Sequence, residues 1–370
     1  MIRVRPAAGF RDRDRFIKLP FRLYRDDPRW VPPLLVAERE RLNPQKNPFF
    51  QHADHQLFLA ERDGKVIGRI AAIDDRLHRE VHREAVGFFG FFEAADSEVA
   101  KALLREAEDW ARQRGLVALR GPANPSLNDS AGFQVDAFGS RPYVMMPYSP
   151  PEYLAYVEAA GYRKVKDLFC WLFDICEGVG QRNSRLIRGI LRRVPLQVRM
   201  LDMKRFKQEV DTIRGIYCAA WAENWGFVPP TRAEFDHLAA SLKMVIDPDF
   251  ALMVEVDGVV VAFAITLPDL HQVFSRMNGR LFPTGIIKLL RRRRYIDQLR
   301  MALLGVLPNY RGKGLEYVLI AESIERAQRK GYRFGECSWT LEDNSAISRT
   351  IGAIGARHYK TYRLYERPLL

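Results

Sequence analysis

The residues Tyr310-Arg311-Gly312-Lys313-Gly314-Leu315 place two cations and two glycines in one short run. Glycines let backbone amides approach an anion closely, and a helix starting near Leu315 would add the unpaired N–H groups of its first turn. With Arg311 and Lys313 beside them, these groups suit a pyrophosphate. Taken alone, the run also reads as a basic turn between two elements. Downstream, Glu336 and Glu342 offer carboxylates that could take a proton from a nucleophile, and Tyr310 and Tyr362 offer hydroxyl donors. Asn344 carries an amide that can orient a bound chain or cap a helix.

These groups need elements to hold them. Met301 to Leu307 is an apolar, strand-like run that ends at Pro308, and Leu315 to Lys330 follows a helical pattern. A Lys330-Gly331 turn leads to a second strand, Tyr332 to Thr340, and then to a helix opened by Asn344 and closed by Gly355. The order is strand, anion loop, helix, strand, helix.

That order, with the run V-L-P-x-Y-R-G-K-G-L, resembles the GNAT acyltransferase superfamily. The resemblance implies an acyl-CoA thioester as co-substrate and an R/Q-x-x-G-x-G/A pyrophosphate loop, which Arg311 and Gly314 match. Glu316 stands where the family has a small residue, and Ile351 where many members carry a proton-donating Tyr. By the same resemblance the donor is held by Leu304, Gly305, Val306, Arg311, Gly312, Lys313, Gly314, Leu315 and Asn344. Strand amides beside the thioester carbonyl would stabilise the oxyanion. Glu336 or Glu342 would act as base and Tyr310 as acid.

The chain also repeats itself. Val4-Arg5 recurs as Val198-Arg199, Val31-Pro32-Pro33 as Val228-Pro229-Pro230, Asp63-Gly64 as Asp257-Gly258, and Ala160-Gly161 as Ile354-Gly355. A nearly constant offset argues for two copies of one plan. Each Asp-Gly pair joins two apolar runs and so predicts a β-hairpin. The expected fold is α/β (α+β): two tandem GNAT-like domains, 1–180 and 181–370, each a twisted mixed sheet flanked by helices. Where the second copy has its glycine loop, the first has Glu93-Ala94-Ala95-Asp96-Ser97-Glu98, which repels an anion. The first copy instead carries a long polar connection in which Asn124, Asn128 and Asp129 are candidates for acceptor binding.

Composition narrows the function classes. The four cysteines lack paired spacing, and His78 and His82 have no evident third ligand, so no metal is expected. No apolar run approaches the roughly 18 residues that span a bilayer, and no signal peptide is evident, so a cytoplasmic protein is expected. The net charge of +13 concentrates in part in an insertion, residues 271–298, where Phe282, Ile286 and Ile287 precede Arg291 through Arg294. Cations beside bulky apolar groups suit the anionic inner membrane face. Nucleic acid ranks lower, because no recognition motif accompanies the basic block.

Across nearly the whole chain, the tandem plan, the G-P-x-N-P-S-x-N-D segment, the N-G-R-L-F-P insertion and the W-x-L-E-D-N strand end resemble a bacterial ceramide synthase-like group. That resemblance implies transfer of a fatty acyl group to a long-chain lipid amine. Two alternatives stay open: an aminoacyl-tRNA-dependent transferase that builds peptidoglycan bridges, and a non-catalytic GNAT fold that binds a membrane or partner.

Overall fold

The computed structural model describes residues 1–369. The first copy supplies β1 (Ile2–Pro6), α1 (Gly9–Leu23), α2 (Leu35–Arg41), β2 (Ala53–Arg62), β3 (Lys65–Asp75), α3 (Arg76–His82), β4 (Val86–Ala94) and α4 (Ser97–Arg112). It continues with β5 (Ala118–Gly121), β6 (Ala123–Asn124), β7 (Ser130–Ala131), β8 (Phe133–Gln134), α5 (Glu152–Ala159) and β9 (Arg163–Asp174). The second supplies α6 (Gln181–Arg193), β10 (Leu196–Met200), α7 (Phe206–Trp221), α8 (Arg232–Lys243), β11 (Ala251–Val256), β12 (Val259–Pro268), α9 (His271–Phe274) and α10 (Gly285–Leu290). Then come β13 (Gln298–Val306), α11 (Leu315–Arg329), β14 (Phe334–Leu341), α12 (Ser345–Ile354) and β15 (Arg357–Pro368).

The repeat is a repeat of structure. Both hairpins turn at Asp-Gly with positive φ at each central residue, 52° and 73° at Asp63-Gly64 and 50° and 78° at Asp257-Gly258. That geometry matches the twist of the flanking strands. The register repeats as well: β1 pairs β2 with Ile2 opposite Arg62, and β10 pairs β11 with Leu196 opposite Val256. Each hairpin shifts register at the same place, after Ala60 in one and after Val254 in the other. Even an ion cluster recurs. Arg5 binds Glu61 and Asp12, and Arg199 binds Glu255 and Glu209.

Two compact units result, interleaved in sequence where a simple cut near residue 180 was expected. One holds residues 1–168, 274–288 and 361–370; the other holds 169–273 and 289–360. The reason lies in the last strand of each copy. In the first unit β1-β2-β3-β4-β5 is followed by the end of β15, with Tyr365 opposite Gly121 and Pro368 opposite Ala118. In the second unit β10-β11-β12-β13-β14 is followed by the end of β9. The copies have exchanged their final strands.

Each unit has its own core. In the first, Phe89, Leu103, Leu104, Leu119, Tyr162 and Tyr365 pack between sheet and α4. In the second, Phe250, Leu252, Leu315, Leu319, Ile351 and Ile354 pack between sheet, α11 and α12. The insertion divides likewise. Its middle part, 274–288, belongs to the first unit, where the Leu35 N–H donates to the Gly279 carbonyl and a Cβ on Gly279 would strike Phe21.

Candidate active site

Strands β13 and β14 run parallel and paired from Gln298 opposite Phe334 to Met301 opposite Cys337, and no further. Beyond that point the strands part, and a cleft of about 560 Å³ opens beside the parted segments. On its other edge β13 stays paired with β12, but Ile265 faces Leu303 and Thr266 faces Met301, so Ala302 is left over as a bulge. A bulge releases backbone groups from the ladder and redirects the strand. Ala302, Leu304 and Val306 line the cleft beside it. Gly305 is instead packed so closely that a Cβ would lie 2.7 Å from Phe263 and 3.0 Å from Trp221.

The anion loop follows directly. Gly312 and Gly314 take φ of 74° and 80°, which glycine adopts without strain. A Cβ on Gly312 would meet nothing within 4 Å, and Gly312 lines the cleft. Helix α11 then starts at Leu315, whose side chain is buried in the core, so this residue contributes backbone only. The Arg311 guanidinium donates to the Ala220 carbonyl at 2.8 Å and to Glu223 at 3.2 Å, tying the loop to the end of α7. The Lys313 ammonium sits 4.4 Å from the centre of the Tyr310 ring. Tyr310 therefore serves as a platform for Lys313 and is not among the cleft-lining residues. Glu316, in the first turn of α11, does line the cleft and places a carboxylate near the helix N-terminus.

The opposite wall is α12. Asn344 caps it by accepting the Ile347 N–H and lines the cleft with Ala346, Ile347, Thr350 and Ile351. Ile351 supplies no hydroxyl, and it is buried at 3% exposure.

The structure does not bring Glu336 into this cleft. Its side chain is 1% exposed and fully engaged: Ser338 donates to one oxygen at 2.5 Å, the Tyr359 hydroxyl donates to the other, and Arg300 lies 3.8 Å away. Arg300 in turn donates to the Ser338 hydroxyl and carbonyl. Buried and held at both oxygens, this carboxylate is not presented to the cleft. Glu342 sits half-buried just past β14, beside the lining but not in it, whereas the adjacent Asp343 lines the cleft. Tyr362 lies buried in the first unit.

Sequence reading missed one wall. Trp221, Glu223, Asn224 and Trp225 at the end of α7, and Trp339 in β14, all line the cleft. Three of the six tryptophans in the chain thus gather here, a concentration visible in Trp221-Ala222-Glu223-Asn224-Trp225. Cys337 also lines the cleft, and burial pushes its thiol up to about 12. It stays protonated near neutrality and is a poor nucleophile.

The first unit shows the same geometry plugged. Strands β4 and β5 pair in parallel from Val86 opposite Ala118 to Phe88 opposite Arg120, and then part. The β3–β4 register slips beyond Ala71 opposite Gly90. Here Ala123 and Asn124 fill the gap. A Cβ on Gly90 would fall 1.7 Å from the Ala123 carbonyl oxygen, and the Asn124 side chain accepts the Phe91 N–H. Where the second unit has its loop, the Asp96 side chain caps α4 by accepting the Val99 N–H. Asn124 is thus a structural plug. Asn128 and Asp129 are exposed in a turn where Ser126 donates to Asp129 and accepts the Asn128 N–H.

Comparison with known proteins places this geometry. The model of the Acetyltransferase (GNAT) family matches residues 21–128, in the copy without the loop. The chain is 39% identical to a bacterial ceramide synthase of Caulobacter vibrioides, covering 96% of this chain and 94% of that protein. It is 34% identical to protein YghO of Escherichia coli, over 99% of this chain and 95% of that one. A tandem GNAT protein from the clavulanic acid biosynthesis pathway, at 12% identity, superposes with a TM-score of 0.58 over 100% of this chain and 99% of the other. The two relatives match this chain over nearly their whole length, the solved structure shares its fold, and the chain belongs to the GNAT family of acyltransferases.

Proposed function

We propose that the second unit binds a fatty acyl-CoA and transfers its acyl group to the primary amine of a long-chain lipid base. The observation that carries this reading is the cleft where β13 parts from β14, with the Ala302 bulge at its edge and the open Gly312 loop at its end. Bound acyl-CoA would supply an activated thioester. The Gly312–Leu315 backbone and the start of α11 would hold its pyrophosphate, and Asn344 would hydrogen-bond its amide arm. Backbone donors around Ala302 and Leu304 would receive the carbonyl oxygen as it becomes negative. The neutral amine nitrogen bonds to the carbonyl carbon, the C–S bond breaks, and the proton that the nitrogen sheds on becoming an amide balances the one taken up by the departing thiolate. The ammonium form of the acceptor must first lose its proton. Among the groups on the cleft wall, Asp343 and Glu316 are better placed for that step than Glu336.

Full-length similarity to the Caulobacter protein supports a lipid amine as acceptor. Exposed apolar side chains support action at a membrane face: Phe282 is 69% exposed, Ile287 51% and Leu290 75%, directly before Arg291 through Arg294. Among the described residues no helix is long and apolar enough to cross a membrane, so contact would be peripheral. Mass spectrometry of products from palmitoyl-CoA with sphinganine, compared with short-chain amines, tests the reading. An N-acylated long-chain base is expected. Product from short amines alone overturns the lipid assignment.

A further inference from the structure

Helix α6 has a composition that neither fold nor cleft requires. Gln181 to Val194 contains no acidic residue, and Arg185, Arg188, Arg192 and Arg193 are all exposed. None of these four pairs with a carboxylate among the described residues. At 3.6 residues per turn, Leu186, Ile190, Ile187 and Leu191 fall within an arc of roughly 140°, and the four arginines occupy the complementary arc. Such segregation normally marks a helix packed on a core, yet none of its described side chains is buried. Leu186 and Leu191, at the two edges of the apolar arc, are each 46% exposed.

Its hold on the second unit is slight. The Asn183 side chain donates to the Ala353 carbonyl at 2.9 Å, and Ser184 donates to the carbonyls of Val179 and Gly180 just before the helix. Near the other end Ile190 rests on the anion loop: a Cβ on Gly314 would lie 2.6 Å from its terminal methyl. One side chain thus covers the αL glycine that starts α11. Before the helix, Val179 packs on the second core and Gly178 lies against Gln328, whereas a Cβ on Gly180 would meet nothing within 4 Å, so a swing of the helix would start at Gly180.

We propose that α6 docks on an anionic lipid bilayer through its arginines and its leucine-edged apolar arc, and that docking withdraws Ile190 from Gly314 and uncovers the donor loop. Charge complementarity selects an anionic partner, and the apolar arc selects a bilayer over other polyanions, because only a bilayer offers hydrocarbon to Leu186 and Leu191. The docking half stands alone. The uncovering half rests on reading the cleft as the donor site.

The full chain is tested by co-sedimentation with phosphatidylcholine vesicles with or without about 30 mol% phosphatidylglycerol, and by calorimetric binding of CoA with each vesicle type. Sedimentation with the anionic vesicles only is expected, with CoA affinity at least about 10-fold higher in their presence. The double variant R188E/R192E, altered at exposed positions and with residues 271–298 left to contribute what they do, should sediment several-fold less and keep its vesicle-free CoA affinity. The double variant L186S/L191S should also sediment several-fold less. Ile190→Ala should bind CoA tightly without vesicles. Undiminished sedimentation of either double variant overturns the docking surface, and heparin competing as well for L186S/L191S as for the parent shows simple polyanion adsorption and overturns it too. Equal CoA affinity with and without vesicles, in a chain that sediments, overturns the uncovering of the loop. Absence of CoA binding under every condition strikes instead at the donor-site reading and leaves the sedimentation result standing.

Discussion

The side-chain oxygen of Asn124 accepts the backbone N–H of Phe91 at 2.5 Å, at the point where β4 and β5 part. In the second unit the corresponding parting is an open cleft. One amide side chain and the close approach of Ala123 to Gly90 therefore separate a filled notch from an open one. Asn124→Ala should leave the Phe91 N–H without its partner and cost about 1–3 kcal/mol of stability. Denaturant unfolding reads that loss. Donor affinity in calorimetry should not change, and a large drop would return Asn124 to ligand binding.

Glu336 and Arg300 form a buried charged pair bridged by Ser338. Glu336→Ala removes the carboxylate beside the buried Arg300 charge and should destabilise the chain by up to about 3–5 kcal/mol. Glu336→Gln keeps the shape and one acceptor, so folded protein should retain most of its turnover. If Glu336→Gln instead melts normally and loses activity by orders of magnitude, the carboxylate is the base after all.

Arg311 links the loop to the Ala220 carbonyl and to Glu223. Arg311→Glu removes both links and puts a second carboxylate beside Glu316, so CoA affinity should fall at least about 10-fold. Arg311→Lys keeps the charge but loses the planar fork and should lie between the two. Equilibrium binding of CoA separates the three chains.

Cys337 lines the cleft with its thiol pushed up to about 12, while Cys176 is exposed. Maleimide labelling at neutral pH followed by peptide mapping should modify Cys176 well before Cys337. Cys337→Ser should transfer acyl groups without large loss, and no acyl-cysteine should accumulate.

Burial lowers the pKa of His78, which is 1% exposed and meets Phe88 edge to face; Glu84 opposes that shift, and His82 and Arg120 reinforce it. Burial acts in the same direction on His55. For a histidine whose folded pKa lies below its unfolded value of about 6.5, the unfolded chain binds more protons in that window. Stability is then full above about pH 6.5 and falls as pH drops through the folded pKa. Melting curves between about pH 7.5 and pH 5.5 should show the decline, and His78→Gln should flatten it.

Much of this was legible in the chain, for identifiable reasons. Asp63-Gly64 and Asp257-Gly258 announce hairpins because few residue pairs tolerate two positive φ angles. The repeat shows because register, hairpin irregularity and ion cluster all travelled together. Strand exchange does not show. β9 and β15 occupy equivalent places in the two copies, so nothing local says which sheet each joins. The Ala302 bulge is hidden for a related reason: Met301-Ala302-Leu303-Leu304 reads as an unbroken apolar strand, and only pairing with β12 exposes the extra residue. Asn124 looked like a ligand group because the amide that can hold a substrate can equally hold a backbone N–H. Glu336 looked available because its burial depends on Arg300 and Tyr359, distant in sequence.

The final strand has a bearing on how the molecule is made. Tyr365 to Pro368 lie against Gly121 to Ala118, so the amino-terminal sheet lacks its closing member until the second copy has been made. Unlike an ordinary leading domain, which condenses as soon as it has emerged from the ribosome, this one must wait with a raw edge for a strand that lies a whole copy away. Removing Tyr365 to Pro368 would injure the sheet of the first copy before that of the second.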